Sequence, residues 1–173
     1  MGRRSVRRLA IASLCFALAA CVVNLSFDLN QPGLVLMTSG SGAYSTSILV
    51  DLGNSPDVRA HQKDIRSLDL EYVDLTITGK GPNNAATVLS ATLWLQRQPG
   101  DPMVKIGELT NFQAVVNTNR RLNGNPELDA FLLERLHDGG KFYFVATGNT
   151  DNRTDLVLDV NLHASMGYET GLF

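Results

Sequence analysis

Residues 68–78 read LDLEYVDLTIT, and this stretch decides the fold class. Val73, Leu75 and Ile77 alternate with Asp74 and Thr76. Because successive side chains of a strand point to opposite faces, this period of two predicts a β-strand with one apolar face. Asp74 is predicted on one face, and Asp69 and Glu71 on the other. We interpret these acids as solvated positions rather than as catalytic carboxylates.

Similar alternation recurs on both sides of this strand. It predicts further strands at residues 22–29, 44–52, 86–98, 103–109, 112–117, 141–147 and 156–163. Short Gly- and Pro-containing turns separate them, which favours antiparallel pairing. The chain from Ser165 onward carries two glycines and is expected to fray.

Seven or eight strands without an internal repeat predict an all-β, two-layer antiparallel β-sandwich. We expect an immunoglobulin-like architecture, although the Cys and Trp spacing of antibody domains is absent, so the likeness is architectural only. A closed barrel is the alternative.

One amphipathic helix interrupts the strands at residues 126–138. Asn125 and Pro126 supply a cap and a first-turn proline, and Gly139 with Gly140 ends the helix. Its apolar stripe consists of Leu128, Phe131, Leu132 and Leu136. A second, short helix is predicted near residues 56–65, where Ser55 precedes a proline.

The N-terminus has the parts of an export signal in the expected order. Its basic residues are Arg3, Arg4, Arg7 and Arg8. An apolar stretch follows at residues 9–18, too short to span a bilayer, which needs about 20 residues. The segment closes with Leu18, Ala19, Ala20 and Cys21.

Leu18-Ala19-Ala20-Cys21 resembles the lipobox of bacterial lipoproteins. The resemblance implies that residues 1–20 are a signal peptide, with Leu18, Ala19 and Ala20 recognised by the lipoprotein signal peptidase. Cys21 would then carry the acyl chains, and residues 21–173 would form one anchored domain. Val22, in place of Asp, implies the outer membrane of a diderm bacterium. An ordinary secretory signal cut near Ala20 is the alternative.

Processing would leave an acidic chain. Removing residues 1–20 takes away four of the 15 Lys and Arg and none of the 17 Asp and Glu, so 11 basic residues would remain and the formal charge would be −6. Nucleic acid is bound through clustered basic residues, so it is not an expected partner. Cys15 would be lost with the signal peptide, which excludes an intramolecular disulfide.

No motif predicts catalysis, a metal or a cofactor. Gly40-Ser41-Gly42 lacks the spacing of a nucleophile elbow. The three histidines, His61, His137 and His163, are far apart in sequence and form no metal-ligand pair. Asn149, Asp151, Asn152 and Asp155 offer oxygen ligands, but Asn and Asp also serve the turn of a hairpin.

A mismatch between strand faces is the main functional signal. The outward faces of residues 86–98 and 141–147 carry Trp94, Tyr143 and Val145, where a solvated face should be polar. Two interpretations are open. Either the helix with Phe131 lies across the outside of this sheet, or the three side chains form an exposed patch for a protein or glycan partner.

These observations favour a non-catalytic binding or structural module, held at the membrane through N-terminal acyl chains and facing another envelope protein or a glycan. A small-molecule or lipid carrier is the first alternative and would need an internal cavity. A hydrolase acting on envelope polymers is the second and would need a cleft with catalytic carboxylates or histidines.

Overall fold

The computed structural model of the protein describes residues 21–170. Its eight strands are β1 (Cys21–Thr38), β2 (Gly42–Asp51), β3 (Ile65–Lys80), β4 (Val88–Gln96), β5 (Met103–Gln113), β6 (Asn119–Asn123), β7 (Lys141–Thr150) and β8 (Thr154–Thr170). Its two α-helices are α1 (Pro56–His61) and α2 (Pro126–His137). Neither helix described within residues 21–170 has the length and hydropathy of a bilayer-spanning segment.

The strands form two four-stranded sheets. Sheet A has the order β1-β8-β3-β6 and sheet B the order β2-β7-β4-β5, with every neighbouring pair antiparallel. The predicted two-layer antiparallel β-sandwich is therefore confirmed, and the closed barrel is wrong.

The order of pairing identifies the type of sandwich. Strand β1 pairs with β8, β2 with β7, β3 with β6 and β4 with β5, as in one long hairpin rolled up on itself. This is the double Greek key, or jelly roll, of eight strands. Its connections differ from those of an immunoglobulin domain, so the predicted likeness holds for the layers and not for the strand order.

One hydrophobic core lies between the sheets. Val73, Leu75 and Ile77, predicted to share the apolar face of residues 68–78, are almost fully buried there. Phe142 and Phe144 of sheet B face them from the other layer. Each such side chain contributes about 1.5–3 kcal/mol on burial, so the alternating inner faces of the strands contribute much of the stability.

Helix α2 follows the sequence prediction closely. The Asn125 side chain accepts hydrogen bonds from the backbone N–H groups of Glu127 and Leu128 at 3.0 and 3.1 Å. Gly139 and Gly140 have positive φ angles of 86° and 75° and end the helix. Helix α1 is shorter than predicted, because the chain enters β3 at Ile65.

Two predictions about strands are wrong. Residues 112–117 are not a separate strand: β5 continues to Gln113, and the chain turns at Asn117, which has φ 69°, before β6. The chain after Ser165 does not fray within the described residues, because β8 runs to Thr170 with β1 paired on one side and β3 on the other.

Candidate functional site

The three residues of the predicted patch lie together on the outer face of sheet B. Trp94 of β4 and Val145 of β7 are directly opposite each other, and Tyr143 lies two residues along β7. The indole Nε1 of Trp94 donates a hydrogen bond to Thr147 Oγ1 at 3.0 Å. Because Thr147 belongs to β7, the indole reaches from β4 onto the neighbouring strand. Val145 is buried beside it, so its predicted exposure is wrong, while Trp94 and Tyr143 are half-buried.

Helix α2 does not lie across this face. Its apolar stripe is part of the core, where the ring of Phe131 packs edge-on against Phe142 at 5.9 Å between centroids. Phe142 pairs with Val50, and both side chains are buried between the sheets. The interpretation in which the helix covers the patch is therefore wrong, because the stripe is already buried against the inner residues.

Further exposed apolar side chains lie on the two edge strands of sheet B, β2 and β5. Leu49 of β2 is opposite Tyr143, and 45% of its surface is exposed. Met103 of β5 is opposite Gln96 and is exposed as well. Exposed apolar groups next to aromatic ones are typical of surfaces that contact a partner.

A groove adjoins this surface where the β4–β5 turn meets the C-terminal part of α2. It consists of two neighbouring cavities of about 500 Å³ each, which share Arg97, Gln98 and Arg135 in their walls. One cavity extends toward Phe131 of the helix. The other reaches Tyr143, so the groove and the aromatic surface are continuous.

Arg135 is the unusual residue of the groove. Only 4% of its side chain is exposed, although Lys and Arg are almost never fully buried unless paired. Its guanidinium contacts Glu134 at 2.6 Å and Asp138 at 3.0 Å, while the buried Nε has no hydrogen-bond partner among the described residues. No sequence motif predicted a role for this residue. The sequence hints at its burial in one way only: Arg135 comes seven residues, or about two helical turns, after Leu128 and therefore lies on the apolar stripe of the helix.

A second polar cluster lies on the outer face of sheet A. The ring of His163 on β8 is stacked on Tyr72 of β3, with 4.6 Å between ring centroids. Its Nδ1 is 2.8 Å from Asp28 of β1, and its Nε2 is 3.5 Å from Glu71. The histidine, isolated in sequence, therefore connects three strands.

A β-bulge in β3 creates this arrangement. The register changes between Leu70 and Tyr72, so Leu70 and Val73 both point inward with two residues between them. The sequence placed Asp74 on the face opposite Asp69 and Glu71. That prediction is wrong, because the bulge turns all three acids outward.

Arg121 of β6 completes the cluster on sheet A. It forms two hydrogen bonds with the Asp74 carboxylate, at 2.9 and 2.7 Å, and its guanidinium carbon lies 3.5 Å from the centre of the Tyr72 ring. The hydrogen bonds with Asp74 raise the pKa of Arg121 further above its ordinary value. The charges of Arg121 and Asp74 are thus paired with each other.

The side-chain oxygens of the hairpin between β7 and β8 accept hydrogen bonds from the hairpin itself and from the residue before β4. The Asp151 carboxylate accepts hydrogen bonds from the backbone N–H and the hydroxyl of Thr87, which lower the pKa of Asp151. The Asn152 side chain accepts from the N–H of Arg153 at 2.8 Å. Within residues 21–170, no group of three or more His, Cys, Asp and Glu side chains could hold a metal ion.

The two remaining histidines contact a tyrosine ring and a backbone carbonyl group, respectively. His61 is stacked on Tyr168 with 4.0 Å between ring centroids. His137 lies in the last turn of α2, with Nε2 3.4 Å from the carbonyl oxygen of Ile65. Neither belongs to the groove.

Comparison with known proteins gives no family. No protein-family model matches the sequence, and no curated protein matches it. Among solved structures, Desmodium yellow mottle tymovirus matches with 11% identity and a TM-score of 0.36, covering 99% of this chain and 98% of its own. The decameric BFDV capsid protein matches with 10% identity and a TM-score of 0.39, covering 84% of this chain and 98% of its own. Turnip yellow mosaic virus matches with 12% identity and a TM-score of 0.34, covering 87% of this chain and 98% of its own. At these scores the likeness carries no inference about this chain.

Proposed function

We propose that the protein is a membrane-anchored envelope lipoprotein whose β-sandwich is a non-catalytic binding module. The anchor would be the acyl chains on Cys21, and the exposed outer face of sheet B would contact another envelope protein or a glycan. The continuous surface formed by Trp94, Tyr143 and Leu49, which α2 leaves uncovered, is the observation that carries the binding role.

The start of the sandwich supports the anchored position. Leu18, Ala19 and Ala20 lie outside the described residues, as does the whole predicted signal peptide. Cys21 is the first residue of β1 and pairs with Thr170 of β8, so no linker would separate the lipid from the fold. Val22 is 60% exposed and Val23 is also exposed. Apolar side chains at this point suit a surface held against lipid, because apolar area buried at the membrane boundary adds to the attachment that the acyl chains provide.

The anchor is tested by replacing Cys21 with serine. We expect Cys21→Ser to remain unlipidated, either as uncleaved precursor or in the soluble fraction, when cells are fractionated and labelled with a palmitate analogue. Cys15→Ser is the matched control, because it changes the other cysteine and leaves the lipobox intact. Normal labelling and membrane recovery of Cys21→Ser would contradict the anchor.

The binding face is tested with the single tryptophan. Trp94 emission and its quenching by iodide are recorded with and without envelope fractions. Because Trp94 is half-buried, we expect partial quenching that decreases when the fraction with the partner is added. Leu49→Ser should abolish that response. Val35→Ser is the control, because Val35 is 46% exposed and Leu49 is 45% exposed, but Val35 lies on sheet A. An equal response of the two variants would contradict the assignment of the face.

A further inference from the structure

We infer that the groove between the β4–β5 turn and α2 binds a carboxylate group that is attached to an apolar group. This inference rests on the proposed binding function, for which it names a ligand class, and it is independent of the anchor. A small organic acid and the C-terminus of a peptide both have this chemistry.

The groove already binds a carboxylate of its own chain. Oδ2 of Asp138 lies 3.0 Å from Nη1 of Arg135 and 3.9 Å from Nη2 of Arg97, so one carboxylate oxygen sits between two guanidinium groups. Lys141 lines the same cavity. Planar guanidinium groups bind carboxylates through paired hydrogen bonds, which makes this position suited to an incoming acid.

The internal partners of Arg135 can be displaced. The side chains of Asp138 and Glu134 are 61% and 66% exposed, whereas Arg135 is held in place by burial along its whole length. The side chains of Asp138 and Arg97 are both more than half exposed, and exposed ion pairs are weak, so a ligand carboxylate would replace Asp138 beside Arg97 at small cost. The buried Nε of Arg135 has no hydrogen-bond partner among the described residues, so the internal contacts leave one donor of this guanidinium unused.

An apolar wall stands beside the guanidinium groups. Tyr143, Leu49 and Pro99 line the same cavity as Arg97 and Arg135. A cavity of about 500 Å³ lies within the usual range of volumes for small-ligand sites, and its lining combines apolar with charged side chains. The arrangement therefore selects an acid with an apolar substituent over a simple inorganic anion.

The test uses the full chain and phenylacetate as the probe, with phenylacetamide as its uncharged isostere. Binding is followed by chemical-shift changes of backbone amides in two-dimensional NMR spectra. We expect phenylacetate to shift amides around Arg97, Tyr143 and Lys141, and phenylacetamide to cause no comparable shift. Equal binding of the two compounds, or no binding of phenylacetate, would overturn the inference.

Exposed residues provide the variants, so that loss of folding does not obscure the result. Arg97→Ala should weaken binding about fivefold or more through loss of a charge-assisted contact. Asp138→Asn should tighten it about fivefold, because it removes both the internal competitor and a repelling charge. Lys105→Ala is the control, since Lys105 is on sheet B and pairs with Glu108 outside the groove. Unchanged binding in Arg97→Ala, or weaker binding in Asp138→Asn, would refute the assigned residues.

Two further ligands distinguish the sources of the carboxylate. An acetylated tripeptide ending in a free phenylalanine carboxylate is compared with its C-terminal amide. Binding about tenfold tighter than that of phenylacetate, lost in the amide, identifies a peptide C-terminus, whereas equal binding identifies a small acid, and both support the site. If no carboxylate binds while Leu49→Ser still abolishes the Trp94 response, the inference fails and the proposed function stands.

Discussion

Replacing Arg135 with methionine is expected to leave the fold as stable as it is now or slightly more stable. The guanidinium is buried, its Nε has no partner among the described residues, and both of its ionic partners are exposed. A buried donor left without a partner costs about 1–3 kcal/mol. Methionine removes that donor and keeps an unbranched chain of similar length to fill the space.

The losses in Arg135→Met are of similar size. The two ion pairs, screened by water, contribute about 0–1 kcal/mol each. A cation in the last turn of a helix contributes about 0.3–1 kcal/mol. The balance predicts an increase of about 0–1 kcal/mol in the free energy of unfolding, which for a domain of this size raises the Tm by about 0–4 °C.

Urea unfolding, followed by circular dichroism and Trp94 emission, measures this difference. Arg135→Ala is the companion variant. It also removes the charge but leaves the buried stem unfilled, so its free energy of unfolding should fall by about 1–3 kcal/mol. A loss of more than about 1 kcal/mol in Arg135→Met would refute the reasoning, because the guanidinium would then stabilise the fold.

Two further perturbations test the sheets and the β7–β8 hairpin. Gly148→Ala should lower the free energy of unfolding by about 2–3 kcal/mol, because the added Cβ would lie 1.9 Å from the backbone oxygen of Ser90 on β4. Gly40→Ala, whose Cβ would meet nothing within 4 Å, should leave this free energy nearly unchanged. Thermal melts compare the two variants, and equal effects would contradict the close approach of β7 to β4. Asp151→Asn should be less stable than the wild type above about pH 5, because the Asp151 carboxylate accepts hydrogen bonds from Thr87 in the folded protein. This difference should shrink as the pH falls through the lowered pKa of Asp151, since the carboxyl group is then protonated in the folded and the unfolded protein alike. A difference between the two proteins that is the same at pH 7 and pH 3 would exclude this role.

The alternation of apolar and polar residues determined the fold class. In residues 68–78 and 86–98 the period of two is a local property, since it follows from the direction in which neighbouring side chains point. The cap at Asn125 and the glycines after His137 likewise placed α2 to within one residue, because capping depends on groups a few positions apart. The same local reasoning put Trp94, Tyr143 and Val145 on one outward face.

The strand order could not be predicted from the alternation of residues. Which of eight similar strands pair with one another depends on the packing of the two sheets, and alternation is the same in a jelly roll as in an immunoglobulin domain. The C-terminal residues to Thr170 are ordered for the same reason: their backbone groups are paired with β1 and β3, which are distant in sequence.

The candidate sites show the same division. The sequence alone predicted the lipobox at Cys21 and placed the aromatic residues of sheet B on one face, because a motif and a strand face are local patterns. Only the tertiary structure brought Arg135 next to Arg97 at the edge of that face, and only the bulge at Glu71 placed His163 against Tyr72. A groove is made by side chains from separate elements, so it exists only once packing has brought those elements together.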